Sequence, residues 1–459
     1  MRKLLLACIM LALLCLGACA QPQRGDLPTR AQTALSKAVT YFTRNIACHG
    51  GYLWWYSQDL TERAGEREAT PTQVWVQPPG TPSVGFAYLR AYEATDDRQY
   101  LEAAKAAAAS LAWGQLESGG WDYRIDFDPE ESKRWYYRRD KGNISAEGAA
   151  KRRNASTFDD NTSQHALRLV MAVDDVTGHE PRYHEAVEYG LAFFRRAQFP
   201  NGAWPQRYPL SEKGYSRQYT FNDNAINDCI DVMLTAYHTY GKREYLDAAR
   251  RGGDFIILSQ LPQPQAGWAQ QYDENLQPAS ARWFEPAACN GAVTPRNMRT
   301  LMQLYLETGE DKYLKPITAA IGWLERSRLP DGQWARFYEP GTNRPLYVNM
   351  DREVVYEFVN IRPGYSWMST YGIPGVIERY RELMAKGRQA YLADRDRAPT
   401  RADKQERLKA LNPRVREIIA ALDDQGRWVT GGRITCRTFI SNVETLSEYL
   451  GLVRELRGG

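Results

Sequence analysis

Two short stretches concentrate oxygen ligands. "FDDNTSQ", from Phe158 to Gln164, sets Asp159, Asp160 and Asn161 directly ahead of an apolar helical pattern, and "FNDNAIND" does the same with Asp223 and Asn224 about sixty residues later. A helix cap needs one side-chain oxygen, so capping leaves most of these acceptors without a purpose. Two carboxylates with amide and water oxygens suit a hard cation such as calcium, which takes oxygen ligands and tolerates irregular geometry. Asp160 and Asp223 are the expected metal ligands. Thr294 in "GAVTPRN" reads instead as a plain N-cap, with Pro295 at the first helical position.

The elements that position these residues follow from an internal repeat. "YLEAAKAAAASLAWGQLESGGW" from Tyr100, "YHEAVEYGLAFFRRAQFPNGAW" from Tyr183, "YLDAARRGGDFIILSQLPQPQAGW" from Tyr245 and "YLKPITAAIGWLERSRLPDGQW" from Tyr313 align, with Tyr-to-Trp spacings of 21, 21, 23 and 21. Each copy is an apolar helix followed by a Gly-Trp or Gly-x-Trp loop, entered through a short turn from a preceding helix such as His165–Val176 or Ala225–Thr239. A hairpin cannot bury its apolar face alone, so a fixed period of this size means stacked hairpins. The expected fold is all-α, an α/α barrel or toroid. The Gly-x-Trp loops and the N-termini of the first helices then gather at one end, which brings the two aspartate clusters together; the turns gather at the other. Trp121, Trp204, Trp268 and Trp334 read as packing residues at the loop crossings. One domain, 30–459, is expected, with 126–156 a polar insertion on the rim of the cleft and 386–414 a charged, solvated connection.

Composition narrows the class. The chain has 459 residues, 43% hydrophobic and 25% charged, enough to bury a large core. Its 59 basic and 55 acidic residues leave a net charge of +4 without long basic runs, which implies no nucleic acid and no anionic membrane surface. Thirteen tryptophans and twenty-eight tyrosines suit a sugar-binding cleft, since aromatics with polar edges stack on sugar rings. Arg2 and Lys3 precede an apolar run from Leu4 to Leu16, so residues 1–20 read as an export signal. "LGAC" would leave Cys19 as a lipidated N-terminus, whereas "ACA" suits ordinary signal cleavage. The protein is expected outside the cytoplasm, as a periplasmic or outer-membrane lipoprotein or a secreted form, and as a monomer. Cys48, Cys229, Cys289 and Cys436 would remain after processing, allowing up to two disulfides of unspecified pairing.

"DDNTS", "AQFPNGAWPQRYP", "YTFNDNAIND", "GWAQQYDENLQPASARWFEP" and "IRPGYSW", in this order from Phe158 to Trp367, resemble the motif series of family 10 pectate lyases. The chain departs from the family pattern at Gln218 and Tyr272, where histidine is usual, and at "CNGAVTP". The resemblance implies β-elimination on an acidic polysaccharide, a 4-linked polyuronate with homogalacturonan favoured, and a calcium cofactor held by Asp160 and Asp223. It assigns the base at C5 to Arg282 in "ARWFEP". An arginine essentially never loses its proton in a protein. Either the site stabilises a neutral guanidine transiently, or Arg282 neutralises the carbanion while another group takes the proton. A structural ion pair of Arg282 with Glu285, three residues on, is the competing reading. Substrate contacts are expected from Asn161, Thr162, Arg352, Arg362, Tyr365 and Trp367, the arginines because guanidinium binds carboxylates bidentately.

Two other classes fit parts of this pattern. A glycoside hydrolase on an α/α barrel would also set acids at helix N-termini and would release saturated reducing ends. A non-catalytic glycan-binding lipoprotein would bind uronans without turning them over.

Overall fold

A computed structural model describes residues 25–458, so the export segment and Cys19 lie outside the described residues. The repeat folds as hairpins: α2 (Thr81–Thr95) with α3 (Arg98–Trp113), α4 (Thr162–Val176) with α5 (Pro181–Ala197), α6 (Ala225–Tyr240) with α7 (Arg243–Leu258), and α8 (Thr294–Thr308) with α9 (Leu314–Arg326), preceded by α1 (Leu27–Tyr41). The chain continues through α10 (Ile373–Lys386), α11 (Arg388–Arg395), α12 (Arg401–Ala421) and α13 (Cys436–Gly458). The first helices of the hairpins pack in succession, α13 on α2, α2 on α4, α4 on α6, α6 on α8 and α8 on α10, which is the expected α/α toroid. One hydrophobic cluster runs through all of the hairpins.

The repeat tryptophans show why the period is kept. Each indole Nε1 donates to a carbonyl near the C-terminus of its own outer helix: Trp121 to Leu111, Trp204 to Phe194, Trp268 to Ile256 and Trp334 to Leu324, at 2.7–2.8 Å. Carbonyls in the last turn lack helical partners, and a buried polar group without one is costly. The indole fills that vacancy and the space behind it. Trp268 reaches two residues further back, as its two-residue longer spacing requires.

Beyond each tryptophan the loops pair as short antiparallel ladders. Ser156–Thr157 pairs with Arg207–Tyr208, Tyr219–Thr220 with Gln271–Tyr272, and Cys289–Asn290 with Phe337–Tyr338. In each case the segment entering a hairpin's first helix pairs with the segment leaving that same hairpin. The third ladder grows into four strands: β1 (Cys289–Asn290), β2 (Phe337–Tyr338), β3 (Pro345–Val348) and β4 (Val354–Val355).

The structure adds detail to three readings of the sequence. The 386–414 segment is charged but largely helical: α12 starts at a capping box of Thr400 and Asp403, and Arg407 and Lys404 pair with Glu448 and Glu455 of α13. The 126–156 segment is anchored by the buried rings of Trp135 and Tyr137. All four cysteines of the described residues are free.

Candidate active site

The two aspartate clusters adopt the same turn. Phe158 and Phe221 are buried anchors, and after each a short 3-10 turn carries two successive left-handed residues, Asp160 (φ 49°) with Asn161 (φ 57°) and Asp223 (φ 48°) with Asn224 (φ 61°). Asp and Asn are the non-glycine residues that best tolerate this region. Neither Asn161 nor Asn224 makes a side-chain cap hydrogen bond at the helix it precedes, so capping does not account for these residues. The hook shared by both turns is a glutamine carbonyl two residues after a repeat tryptophan: Gln206 O accepts Phe158 N at 2.9 Å, and Gln270 O accepts Phe221 N and Asn222 N at 2.9 and 3.0 Å.

The turns meet at one mouth of the toroid. Ligand oxygens of Asp159, Asp160 and Asp223 all lie within 4.8 Å of one another. Tyr123 OH donates to Asp159 at 2.7 Å, Gln77 Nε2 to Asp160 at 2.8 Å and Asn222 Nδ2 to Asp223 at 2.5 Å. The other oxygen of Asp159, Oδ1, is buried without a partner. Desolvation, then the charges of Asp159 and Glu66, push the Asp160 carboxyl up to about 6 against the pull of Arg282. Asp223 is raised still further, by desolvation in the crowded cleft and by Asp159 and Asp160, with Arg282 and Arg336 opposing. Three mutually repelling carboxylates and an orphaned buried oxygen fit a hard divalent cation, which would relieve both. Asp159 joins the expected pair Asp160 and Asp223 as a third candidate ligand.

Arg282 faces this group from the loop between α7 and α8. Its Nε and Nη2 donate to Glu285 Oε2 and Oε1 at 2.8 and 2.6 Å. Glu285 is only 2% exposed and also accepts from Gln270 Nε2 at 2.8 Å and Tyr365 OH at 3.0 Å. The hydrogen bonds to Glu285, ahead of its charge, raise the Arg282 pKa above the ordinary arginine range. Gln270 thus holds the second aspartate turn with its backbone and the Arg282–Glu285 pair with its side chain.

A basic, aromatic wall extends the mouth. Trp283, 46% exposed, lies between Arg352 and Arg362, whose guanidinium carbons are 5.4 and 5.7 Å from its ring. Arg362 also stacks on Phe284 at 3.8 Å, and Arg336 on Tyr365 at 4.3 Å. Trp283 and Arg336 were not among the expected contacts. Trp283 follows Arg282 directly and lacks the repeat spacing, the one sequence signal that separates it from the packing tryptophans.

Several expected contacts are placed elsewhere. Thr162 is fully buried, its hydroxyl closed off from the cleft as the first residue of α4. Trp367 is 3% exposed and donates from Nε1 to Arg362 O at 2.8 Å, so it supports Arg362 rather than offering a platform. Tyr365 is half-buried and spends its hydroxyl on Glu285. Asn161 gives its side-chain oxygen to Arg168 Nη2 at 2.7 Å. Thr294 does not cap: its hydroxyl donates back to Asn290 O at 2.8 Å, while Asn290 Oδ1 accepts the Ala292 and Val293 amides. Tyr272, where the resembled family has histidine, is buried in the core and its hydroxyl accepts the Ala269 amide.

Among known proteins, the pectic acid lyase family model matches residues 130–333, a span that holds both aspartate turns and Arg282. No curated protein matches the chain. Among solved structures, a Family 10 polysaccharide lyase from Cellvibrio cellulosa is similar at 21% identity, covering 66% of this chain and 97% of that one, with a TM-score of 0.50. A mutant Family 10 polysaccharide lyase from Cellvibrio cellulosa, in complex with trigalacturonic acid, is similar at 20% identity, over 66% of this chain and 98% of that one, with a TM-score of 0.49. A GH76 α-mannanase of Bacteroides thetaiotaomicron is similar at 12% identity over 95% of this chain and 98% of that one, with a TM-score of 0.45. At these identities the structural likeness is one of fold. Over residues 130–333 the chain is similar to the pectic acid lyases, and that match supports an enzyme of the lyase class.

Proposed function

We propose that the enzyme cleaves a 4-linked polyuronate, homogalacturonan favoured, by calcium-assisted β-elimination to give unsaturated oligouronides. The observation that carries this reading is the meeting of three carboxylates and one held guanidinium, Arg282, at a single cleft mouth. In a uronate the C5 proton is weakly acidic because the adjacent carboxylate is already negative. Calcium held by Asp159, Asp160 and Asp223 would neutralise that carboxylate and so acidify C5.

The remaining work falls to the chain's own residues. Arg282, kept protonated by Glu285, presents positive charge where negative charge develops as a base other than Arg282, solvent water included, takes the C5 proton and the C4–O bond breaks, the leaving oxygen taking a proton from solvent; its position is fixed before the reaction by the bidentate pair. The pair also speaks against Arg282 as the resting base, since the group that must accept a proton is held in its charged form. Arg352 and Arg362 bind further uronate carboxylates with their planar forks. Trp283 between them offers a face for a sugar ring. Export, a lipid anchor on Cys19, a single domain and a monomeric state belong to the same proposal; they rest on the sequence.

Incubation with polygalacturonate and other uronans, with calcium and with chelator, tests it. Ultraviolet-absorbing unsaturated products that require calcium support the reading. Saturated reducing ends would instead identify a hydrolase, and binding without turnover a glycan-capturing protein.

A further inference from the structure

At the turn end of the toroid, a second group of metal-ligating side chains converges. Asp174 is in the last turn of α4, His179 in the turn to α5, and His184 in the first turn of α5. One ligand atom from each lies within 4.8 Å of the others. The spacing along α4 from Asp160 to Asp174 puts this group about 20 Å from the aspartate cluster, at a rise of about 1.5 Å per residue.

The hydrogen bonding of Asp174 is lopsided. Its side chain is 0% exposed, and Oδ2 faces three donors, His179 Nδ1 at 3.0 Å, His184 Nδ1 at 3.1 Å and Tyr240 OH at 2.9 Å. Oδ1, equally buried, has no partner. A purely structural carboxylate would share its donors between both oxygens, because a buried lone acceptor is costly. Two imidazole nitrogens and a carboxylate oxygen are also a zinc donor set. With metal–ligand bonds of roughly 2.0–2.1 Å, a tetrahedral site separates its ligand atoms by about 3.3 Å. The observed Nδ1-to-Oδ2 separations are within a few tenths of an ångström of that edge. Both imidazole side chains are open to solvent, 49% for His179 and 39% for His184, so an ion can enter and a water can complete the shell.

We propose that Asp174, His179 and His184 form a zinc-class divalent metal site that fastens the α4–α5 turn, with Tyr240 at the end of α6 as the outer hydrogen-bond partner of the carboxylate. An ion there replaces the two imidazole N–H contacts by bonds and ties three segments of the turn end together. It takes no part in the chemistry at the other mouth.

The test uses the full exported chain, metal-stripped and titrated with Zn²⁺ against a chromophoric chelator. The wild type is expected to bind one zinc and to gain thermal stability with it, as binding to the native state requires. In the His179→Ala/His184→Ala double variant zinc affinity should fall beyond the roughly 10- to 100-fold cost of outer-shell changes. His179→Asn tolerates the left-handed backbone at this position (φ 65°) and leaves the buried carboxylate in place; it should also weaken zinc. Asp160→Asn should keep the stoichiometry, and lyase turnover of the histidine variants should match the wild type. No stoichiometric zinc in the wild type, or zinc bound undiminished by the histidine variants, overturns the proposal.

Discussion

Glu285 grips Arg282 with both carboxylate oxygens, at 2.8 and 2.6 Å, while the charge of the same guanidinium opposes the upward shifts that burial and neighbouring carboxylates impose on Asp160 and Asp223. The ion pair and the proposed active-site cation are therefore one arrangement. Arg282→Lys keeps a charge but loses the fork, and turnover should fall on the order of a hundredfold or more, the scale for removing a positioned electrostatic group. Glu285→Gln should lower turnover as well, because it frees Arg282 to move. Steady-state kinetics alongside melting curves check this: if both variants lose stability but keep wild-type turnover per folded molecule, Arg282 is structural only.

Asp223→Asn separates charge from backbone. Asparagine accepts the left-handed conformation of this turn, and removing one of three crowded carboxylates relieves repulsion. Without calcium the variant should melt at or above the wild-type temperature, and calcium should no longer raise it. Alanine at the same place would add a left-handed penalty of about 1–2 kcal/mol and blur the comparison. A calcium-induced rise in melting temperature that survives in Asp223→Asn would remove this residue from the metal site.

The cluster was legible from local motif and spacing, because two aspartate–asparagine pairs one period apart leave more acceptors than caps can use. The hairpins and the packing role of the repeat tryptophans were legible from the spacing. What the sequence hid were orientations. Thr162 and Trp367 sit beside candidate site residues but face the core, and no local pattern marks that. The helix Arg401–Ala421 was obscured because its buried residues, Leu411, Val415, Ile418 and Ile419, all lie from its midpoint onward and Pro413, a residue that usually ends helices, stands inside it. The expected cap at Thr294 failed because Asn290, four residues earlier, takes over that duty through a loop the sequence does not reveal.

Trp283→Ala removes the ring between Arg352 and Arg362. A cation–π or stacking contact contributes about 0.5–2 kcal/mol, so KM for a polyuronate should rise roughly 2- to 30-fold with kcat little changed. Arg352→Lys and Arg362→Lys should each raise KM through loss of the bidentate fork. Unchanged KM in all three variants would place this wall outside the substrate path.

Trp204→Phe tests the packing role. The indole hydrogen bond to Phe194 O is buried, and leaving that carbonyl unpaired costs about 1–3 kcal/mol. Denaturant midpoints should fall accordingly, while turnover per folded molecule stays near wild type. A large loss of turnover at unchanged stability would make Trp204 a cleft residue.

The central claim is calcium-assisted β-elimination at the Asp159–Asp160–Asp223 mouth. Its most direct test follows absorbance of unsaturated products from polygalacturonate by the wild type with calcium, with chelator, and by an Asp160→Asn/Asp223→Asn double variant. The account expects product only from the wild type with calcium. Saturated products, or unsaturated products formed equally well with chelator or by the double variant, would contradict it.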